Sequence, residues 1–305
     1  MIPICLVTGF LGSGKTTFLR HLAVVHAARR LVYLVNEFSP RDIDGALVSA
    51  TAPDVISVPG GSIFCRCLVT EFIARLQEIP RRFGAIEGVV IEASGMANPK
   101  VMATMLRETR LDQQYRLATV LAVVDPGSFG KLRRTLPNIV AQIEAADVAL
   151  INKTDLFPPE IVAGLAAELQ SLNTGLEILP CVRGQVDPDL FGDRGGARPD
   201  GGEYAPCRDP RFETVAIPVR RVLEPATLAE RLRAVEDEMY RLKGYLQTTS
   251  GLVYVDYTKT GFNAAPVAPG PEPVVVLIHR GNPSPQVQQF FDWLGAGDED
   301  PATRR

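Results

Sequence analysis

The chain reads as an α/β protein: a mostly parallel sheet covered by helices on both faces, followed by a small α+β domain. Three observations predict this. Apolar strand-length runs alternate with amphipathic helix-length stretches through the first 180 residues; from 183 to 210 the pattern gives way to Gly, Pro and Asp; beyond 210, strands cluster with few helices between them. At roughly 150 residues per domain, 305 residues suit two domains. The expected division is a first domain over 1–182, a linker or long loop over 183–210, an α+β domain over 211–295 and a flexible tail over 296–305.

In the first domain, Ile4 to Thr8, Leu31 to Asn36, Gly88 to Glu92, Ala118 to Asp125, Val148 to Asn152 and Glu177 to Leu179 are β-rich apolar runs closed by polar or glycine residues. Helices are predicted over Thr16 to Ala28, Thr70 to Ile79, Pro99 to Glu108, Leu136 to Ala145 and Pro159 to Leu172. Pro99 and Pro159 each suit a first helical turn, where a missing N–H costs nothing. Such alternation implies right-handed crossovers and a parallel sheet, with any ligand at the carboxyl ends of the strands. Further on, Phe212 to Pro218 predicts a strand and Pro225 to Tyr240 a helix. Leu246 to Tyr257 predicts strands turning near Ser250-Gly251, Val274 to His279 a strand, and Gln286 to Trp293 a short helix.

Composition narrows the function. With 46% apolar and 22% charged residues, neither wholesale disorder nor a fibre fits. A net charge of −3 gives no general attraction for nucleic acid or anionic membranes. No uncharged apolar run reaches the roughly 18 to 20 residues of a membrane span. Met1 to Cys5 runs directly into a strand pattern without the marks of a signal peptide, so a cytoplasmic location is expected. The five cysteines are odd in number, and Cys65 and Cys67 are too close for an easy bridge, which favours thiol or metal chemistry over disulfides. His21, His26 and His279 form no cluster, and the i, i+5 spacing of the first two does not share a helix face.

Three motifs carry chemistry. Gly9-Phe10-Leu11-Gly12-Ser13-Gly14-Lys15-Thr16 fits G-x-x-x-x-G-K-[ST] between a strand and a helix. Its glycines let backbone N–H groups curl around a phosphate, with the helix N-terminus behind them. Lys15 then bridges the β- and γ-phosphates, Thr16 ligates Mg²⁺, and Gly9, Gly12, Ser13, Gly14 and Thr17 complete the cradle. Asn152-Lys153-Thr154-Asp155 follows a strand end. The Asp155 carboxylate can accept from N1–H and the 2-amino group of guanine, which adenine does not offer in that arrangement; GTP is preferred over ATP. Lys153 suits the purine plane, Asn152 a tie to the phosphate loop, and Cys181 a backbone contact at the pocket's border. In Val89 to Gly95, an apolar strand ends in Glu92, suited to a Mg²⁺-bound water, while Gly95 can offer its N–H to the γ-phosphate.

A fourth feature stays open between two readings. Gly60 to Cys67 places two thiols one residue apart on a glycine-led loop, and Glu37 follows a strand end. Cys65, Cys67 and Glu37 can form a three-ligand site for a releasable Zn²⁺ or similar ion, or the thiols simply pack.

Together these residues resemble the CobW-like family of P-loop GTPases, related to the maturation GTPases of urease and hydrogenase. Gly9 to Thr16 is similar to the family's phosphate loop, Val35-Asn36-Glu37-Phe38, with Asp44 beyond it, to its N-E-F switch segment, and Ile91 to Pro99 to its E-x-[ST]-G-x-A-x-P signature. Ala146 to Leu156 resembles its A-D-x-x-x-x-N-K-x-D-L run, and Arg241-Leu242-Lys243-Gly244 the R-x-K-G lead into its C-terminal domain. The resemblance implies GTP hydrolysis coupled to delivery of a metal, commonly zinc or cobalt, to a client metalloprotein; a variant of this function would serve a cobalamin or corrinoid-dependent enzyme. It leaves a homodimer open. Where the family's hallmark is G-C-x-C-C, this chain carries Ser62 and Phe64 at the first two cysteine positions, keeps Cys65, and adds Cys67; the family's histidine-rich segment is absent. A GTP-dependent interaction switch with structural cysteines is the competing function.

Overall fold

Strands β1 (Ile2–Thr8), β2 (Leu31–Glu37), β3 (Val55–Pro59), β4 (Gly88–Glu92), β5 (Tyr115–Val124), β6 (Val148–Ile151) and β7 (Glu177–Pro180) form one sheet in the order β3-β2-β4-β1-β5-β6-β7. Every pairing in it is parallel. This computed structural model describes residues 1–37, 48–49, 54–59, 62–65, 68–134, 136–192, 204, 212–258 and 261–296. The chain divides into two compact units, Met1–Cys207 and Arg208–Arg305.

Helices α1 (Lys15–Val25), α2 (Val69–Phe83), α3 (Val101–Glu108), α4 (Pro126–Leu132), α5 (Pro137–Glu144) and α6 (Pro159–Leu172) flank the sheet. Ile4 to Val7, Val89 to Ile91 and Val148 to Ile151 are all completely buried, as covering both faces requires. Helix α1 turns Phe18, Leu19, Leu22 and Ala23 onto Cys5, Val7, Tyr33 and Val90. Burying Phe18, Leu19 and Leu22 is worth about 1.5–3 kcal/mol each. β1 lies between β4 and β5, and the chain fills first one flank and then the other. That reversal opens a crevice at the carboxyl end of β1, where Gly9 to Thr16 sits.

The second unit holds β8 (Phe212–Pro218), α7 (Pro225–Arg233), β9 (Met239–Thr248), β10 (Gly251–Thr258), β11 (Gly261–Pro266), β12 (Val274–Arg280) and α8 (Pro285–Gly295). Its antiparallel sheet has the order β11-β10-β9-β12-β8. Leu228, Leu232, Val287, Phe290 and Leu294 from the helices pack with Leu242, Leu246, Val255 and Leu277 from the strands.

Several boundaries differ from expectation. The helix expected over Pro225 to Tyr240 stops at Arg233, because Glu236, Asp237 and Glu238 would place three acids at a helix carboxyl end, against its dipole. Met239 instead begins a strand, and Arg241 to Gly244 lies mid-strand within this unit, not at its start. Pro99 stands in a turn before α3, not in its first helical turn. β3, β11 and α4 were not foreseen; α4 is started by Asp125, whose side chain accepts from the Gly127 N–H at 2.9 Å. Of the expected linker, 183–192 packs on the first unit: Leu190 is buried in its core, and Phe191 O accepts from Arg116. Gly195-Gly196, Gly201-Gly202 and residues 297–305 lie outside the described residues. Among the described residues no helix is long and apolar enough to cross a membrane.

Candidate functional site

Gly9 to Lys15 leaves the carboxyl end of β1 and enters α1 through Gly14, whose left-handed φ of 109° starts the helix without a side-chain cap. A helix N-terminus opened in this way suits an anion. The Lys15 ammonium donates to the carbonyls of Gly9 (2.8 Å) and Phe10 (3.3 Å), folded over the loop it would share with a phosphate. Thr16 is buried on the first helical turn and Thr17 is exposed. The hydroxyls of Thr8, Ser13 and Ser94 are buried and have no hydrogen-bond partner among the described residues. Three orphaned hydroxyls on the segments lining this crevice suit a polar ligand.

The Asn152-to-Asp155 segment is built onto the same loop. Asn152 is buried and donates through Nδ2 to the Ser13 carbonyl at 2.9 Å; its Oδ1 accepts from the Gly184 N–H at 2.9 Å. Gly14 permits this approach, since a Cβ there would stand 2.2 Å from Asn152 Nδ2. Lys153, in the left-handed region, is paired with the buried Asp125 at 2.8 Å. Thr154 donates from its N–H (3.3 Å) and hydroxyl (3.1 Å) to the Cys181 carbonyl. Asp155 follows, exposed, in a short 3₁₀ turn over Thr154–Leu156. Burial pushes the Cys181 thiol up to about 11, so Cys181 meets this region as a neutral thiol, donating to Asn152 Oδ1 at 3.6 Å, and through its backbone carbonyl.

Glu92 ends β4, buried, beside Val7 of β1. The following turn lies flush against the phosphate loop: a Cβ on Gly95 would meet the Leu11 nitrogen at 2.5 Å. Two side chains four apart on α5 hold this turn from behind. Asn138 donates to the Met96 carbonyl at 2.8 Å, and Gln142 to those of Gly95 and Ala97 at 3.2 Å each. The sequence reading missed both. A polar pair at i, i+4 on a helix rich in Ile and Val was the available signal, but it does not name a partner.

The cysteine loop is described only in part. Ser62, Ile63, Phe64 and Cys65 are buried, and Phe64 meets Phe72 edge to face at 6.1 Å. The Cys65 carbonyl accepts from the N–H groups of Leu68 and Val69 at the start of α2. Phe38, Asp44, Gly60, Gly61, Arg66, Cys67 and the Glu37 side chain lie outside the described residues. Among the described residues no three His, Cys, Asp or Glu side chains are placed to share a metal ion. His26 is engaged elsewhere, with Asp187 at 2.9 Å.

One local prediction tests the tie between motifs. Asn152→Ala leaves the Ser13 carbonyl and Gly184 N–H without this partner, at about 1–3 kcal/mol per buried group. Thermal unfolding of the first unit should shift clearly downward; an unchanged transition contradicts the tie.

A phosphate-type loop at the topological switch of a parallel sheet, with a base-type motif bonded to it, defines a nucleotide-binding domain. The sequence matches the CobW/HypB/UreG nucleotide-binding domain over residues 3–180, and the chain belongs to that family. It is 29% identical over 224 residues to the zinc chaperone CobW of Pseudomonas aeruginosa, covering 63% of this chain and 60% of that protein. It is 26% identical over 270 residues to the zinc chaperone YjiA of Escherichia coli, covering 84% and 82%. The crystal structure of Zn(II)-bound YjiA GTPase from E. coli aligns with 96% of this chain and 98% of its own, at 19% identity and a TM-score of 0.48.

Proposed function

We propose that this protein binds and hydrolyses GTP with Mg²⁺ and couples turnover to holding and releasing a transition-metal ion for a client protein. The observation that carries the nucleotide half is the Asn152–Ser13 hydrogen bond, which joins the base-reading segment to the phosphate loop. Lys15 and the N-terminus of α1 supply fixed positive charge where negative charge gathers on the leaving phosphates. Thr16 and Glu92 would hold Mg²⁺ directly and through water, and the ion, when bound, neutralises charge on the β- and γ-phosphates. Gly95 directs its N–H to the γ-phosphate. The cargo ion, zinc or cobalt, is a substrate taken by Cys65, Cys67 and Glu37. Relatives named zinc chaperones support the metal half. The client is a metalloprotein or a cofactor-dependent enzyme, corrinoid enzymes included.

A second reading, an interaction switch without metal transfer, draws on the burial of Cys65 at 6% exposure and on its backbone starting α2. Calorimetric titration with Zn²⁺ and Co²⁺ separates the two. Wild type should bind one ion tightly, and Cys65→Ala/Cys67→Ala should lose at least about tenfold in affinity, more weakly at low pH because thiols must deprotonate to bind. Equal affinity in both proteins would favour the switch.

A further inference from the structure

Asn36, at the end of β2, is buried at 2% exposure and joins three separate segments. Its Nδ2 donates to the Val58 carbonyl of β3 at 3.0 Å. Its single Oδ1 accepts two backbone N–H groups, that of Ile63 at 3.0 Å and that of Ser94 at 3.1 Å. Two donors fix which end of the carboxamide is oxygen, and the bond to Val58 fixes it from the other side. Both oxygen lone pairs are used.

The two accepted N–H groups belong to unlike places. Ser94 precedes Gly95, in the turn that abuts the phosphate loop. Ile63 lies in the tight turn where the Cys65 N–H donates to the Ser62 carbonyl at 2.9 Å, and the Cys65 carbonyl in turn receives the first amides of α2. A movement of Ser94 therefore changes the direction from which Asn36 Oδ1 is approached. The carboxamide is anchored at Val58, so Ile63 must follow or leave a buried N–H unsatisfied, which is costly.

We infer that Asn36 is a positioning residue that transmits the nucleotide state of the Ser94–Gly95 turn to the Ile63–Cys65 turn through one shared carboxamide oxygen. This rests on the GTP reading above and supplies its missing link between nucleotide and thiol. Asparagine meets the demand because it offers a two-pronged acceptor and a donor on one short, planar group. Alanine offers neither, and aspartate sets a second oxygen against the Val58 carbonyl.

The test is residue-resolved amide hydrogen exchange on the full chain, with and without the β,γ-imido analogue of GTP and Mg²⁺. In wild type, the analogue should slow exchange at Ser94 and Ile63 together, by at least about tenfold and within about twofold of each other. In Asn36→Ala, the analogue should still protect the phosphate loop but change Ile63 by less than about twofold. Should that variant not fold, the wild-type pairing decides alone. Protection of the phosphate loop and Ser94 with Ile63 unmoved overturns the inference and leaves the GTP reading standing. So does retained Ile63 protection in Asn36→Ala. Absence of any protection at the phosphate loop overturns the GTP reading, and the inference with it.

Discussion

Lys15→Ala should lower GTP turnover by at least about a hundredfold. The ammonium is buried at 5% exposure within the phosphate loop, held by the carbonyls of Gly9 and Phe10. A triphosphate entering the loop would exchange those neutral acceptors for anionic oxygens, a stronger partnership for a buried cation. As the β–γ bond breaks, charge grows on the leaving oxygen, and a cation fixed there costs no reorganisation. Removing one such fixed donor from an active site lowers kcat about 10²- to 10³-fold. Loss of the side chain also leaves the loop without its internal lysine contacts, so Lys15→Arg is the informative companion. It keeps the charge but presents a broad planar fork, and it should recover only part of the rate. Single-turnover hydrolysis with purified protein checks this; near-normal turnover in Lys15→Ala would remove the phosphate-loop assignment.

What the sequence made legible follows from the range of each interaction. The Gly9-to-Thr16 loop is written locally, since its glycines, lysine and threonine all act on the same few peptide units. The Asn152-to-Asp155 segment was equally readable, although its tie to Ser13 spans 139 positions. The buried strands β1, β4 and β6 announced themselves as unbroken apolar runs. Helix α4 did not, because Pro126-Gly127-Ser128-Phe129-Gly130 has loop composition, and only the Asp125 cap and Pro126 at its first turn betray it. Strand β11, Gly261–Pro266, is almost wholly exposed, and Phe262 is its one large apolar residue packed on the core. The partners of Asn36, Asn138 and Gln142 were opaque for another reason. Each of these side chains serves a backbone group more than 20 positions away, and, unlike Asn152 with its phosphate loop, nothing in their spacing names the partner. The cysteine loop reads ambiguously in the sequence, and its described half, Ser62 to Cys65, faces inward. At Ser62 and Phe64, where the family's cysteines would be, the chain has a backbone-capping hydroxyl and an aromatic packed on Phe72.

Asp155→Asn should move nucleotide preference from GTP toward XTP. Thr154 is pinned twice to the Cys181 carbonyl, and Lys153 is paired with Asp125, so the two residues before Asp155 are both anchored and fix where its carboxylate projects. Asp155 is exposed and, ionised, acts only as an acceptor, matching the N1–H and 2-amino donors of guanine. Asparagine keeps one acceptor and turns the other into a donor. Facing guanine, that donor meets the 2-amino group and one hydrogen bond becomes a clash of donors. Facing xanthine, which carries a carbonyl at that place, both bonds are restored. Losing one hydrogen bond to a charged group, to a clash of donors, and the charge behind the other costs about 3 kcal/mol, roughly a hundredfold in GTP affinity. The substitution lies on the surface and leaves Asn152 and Lys153 in place, so phosphate binding and stability should stay near wild type. Competition of GTP, XTP and ATP for a fluorescent guanine nucleotide reads the outcome directly. An unchanged GTP preference would mean that the base is read elsewhere, whereas equal loss of GTP and XTP would mean that the turn itself had collapsed. Recovery of turnover with XTP in the variant, at GTP levels where it is silent, would place the Asp155 carboxylate on the guanine edge.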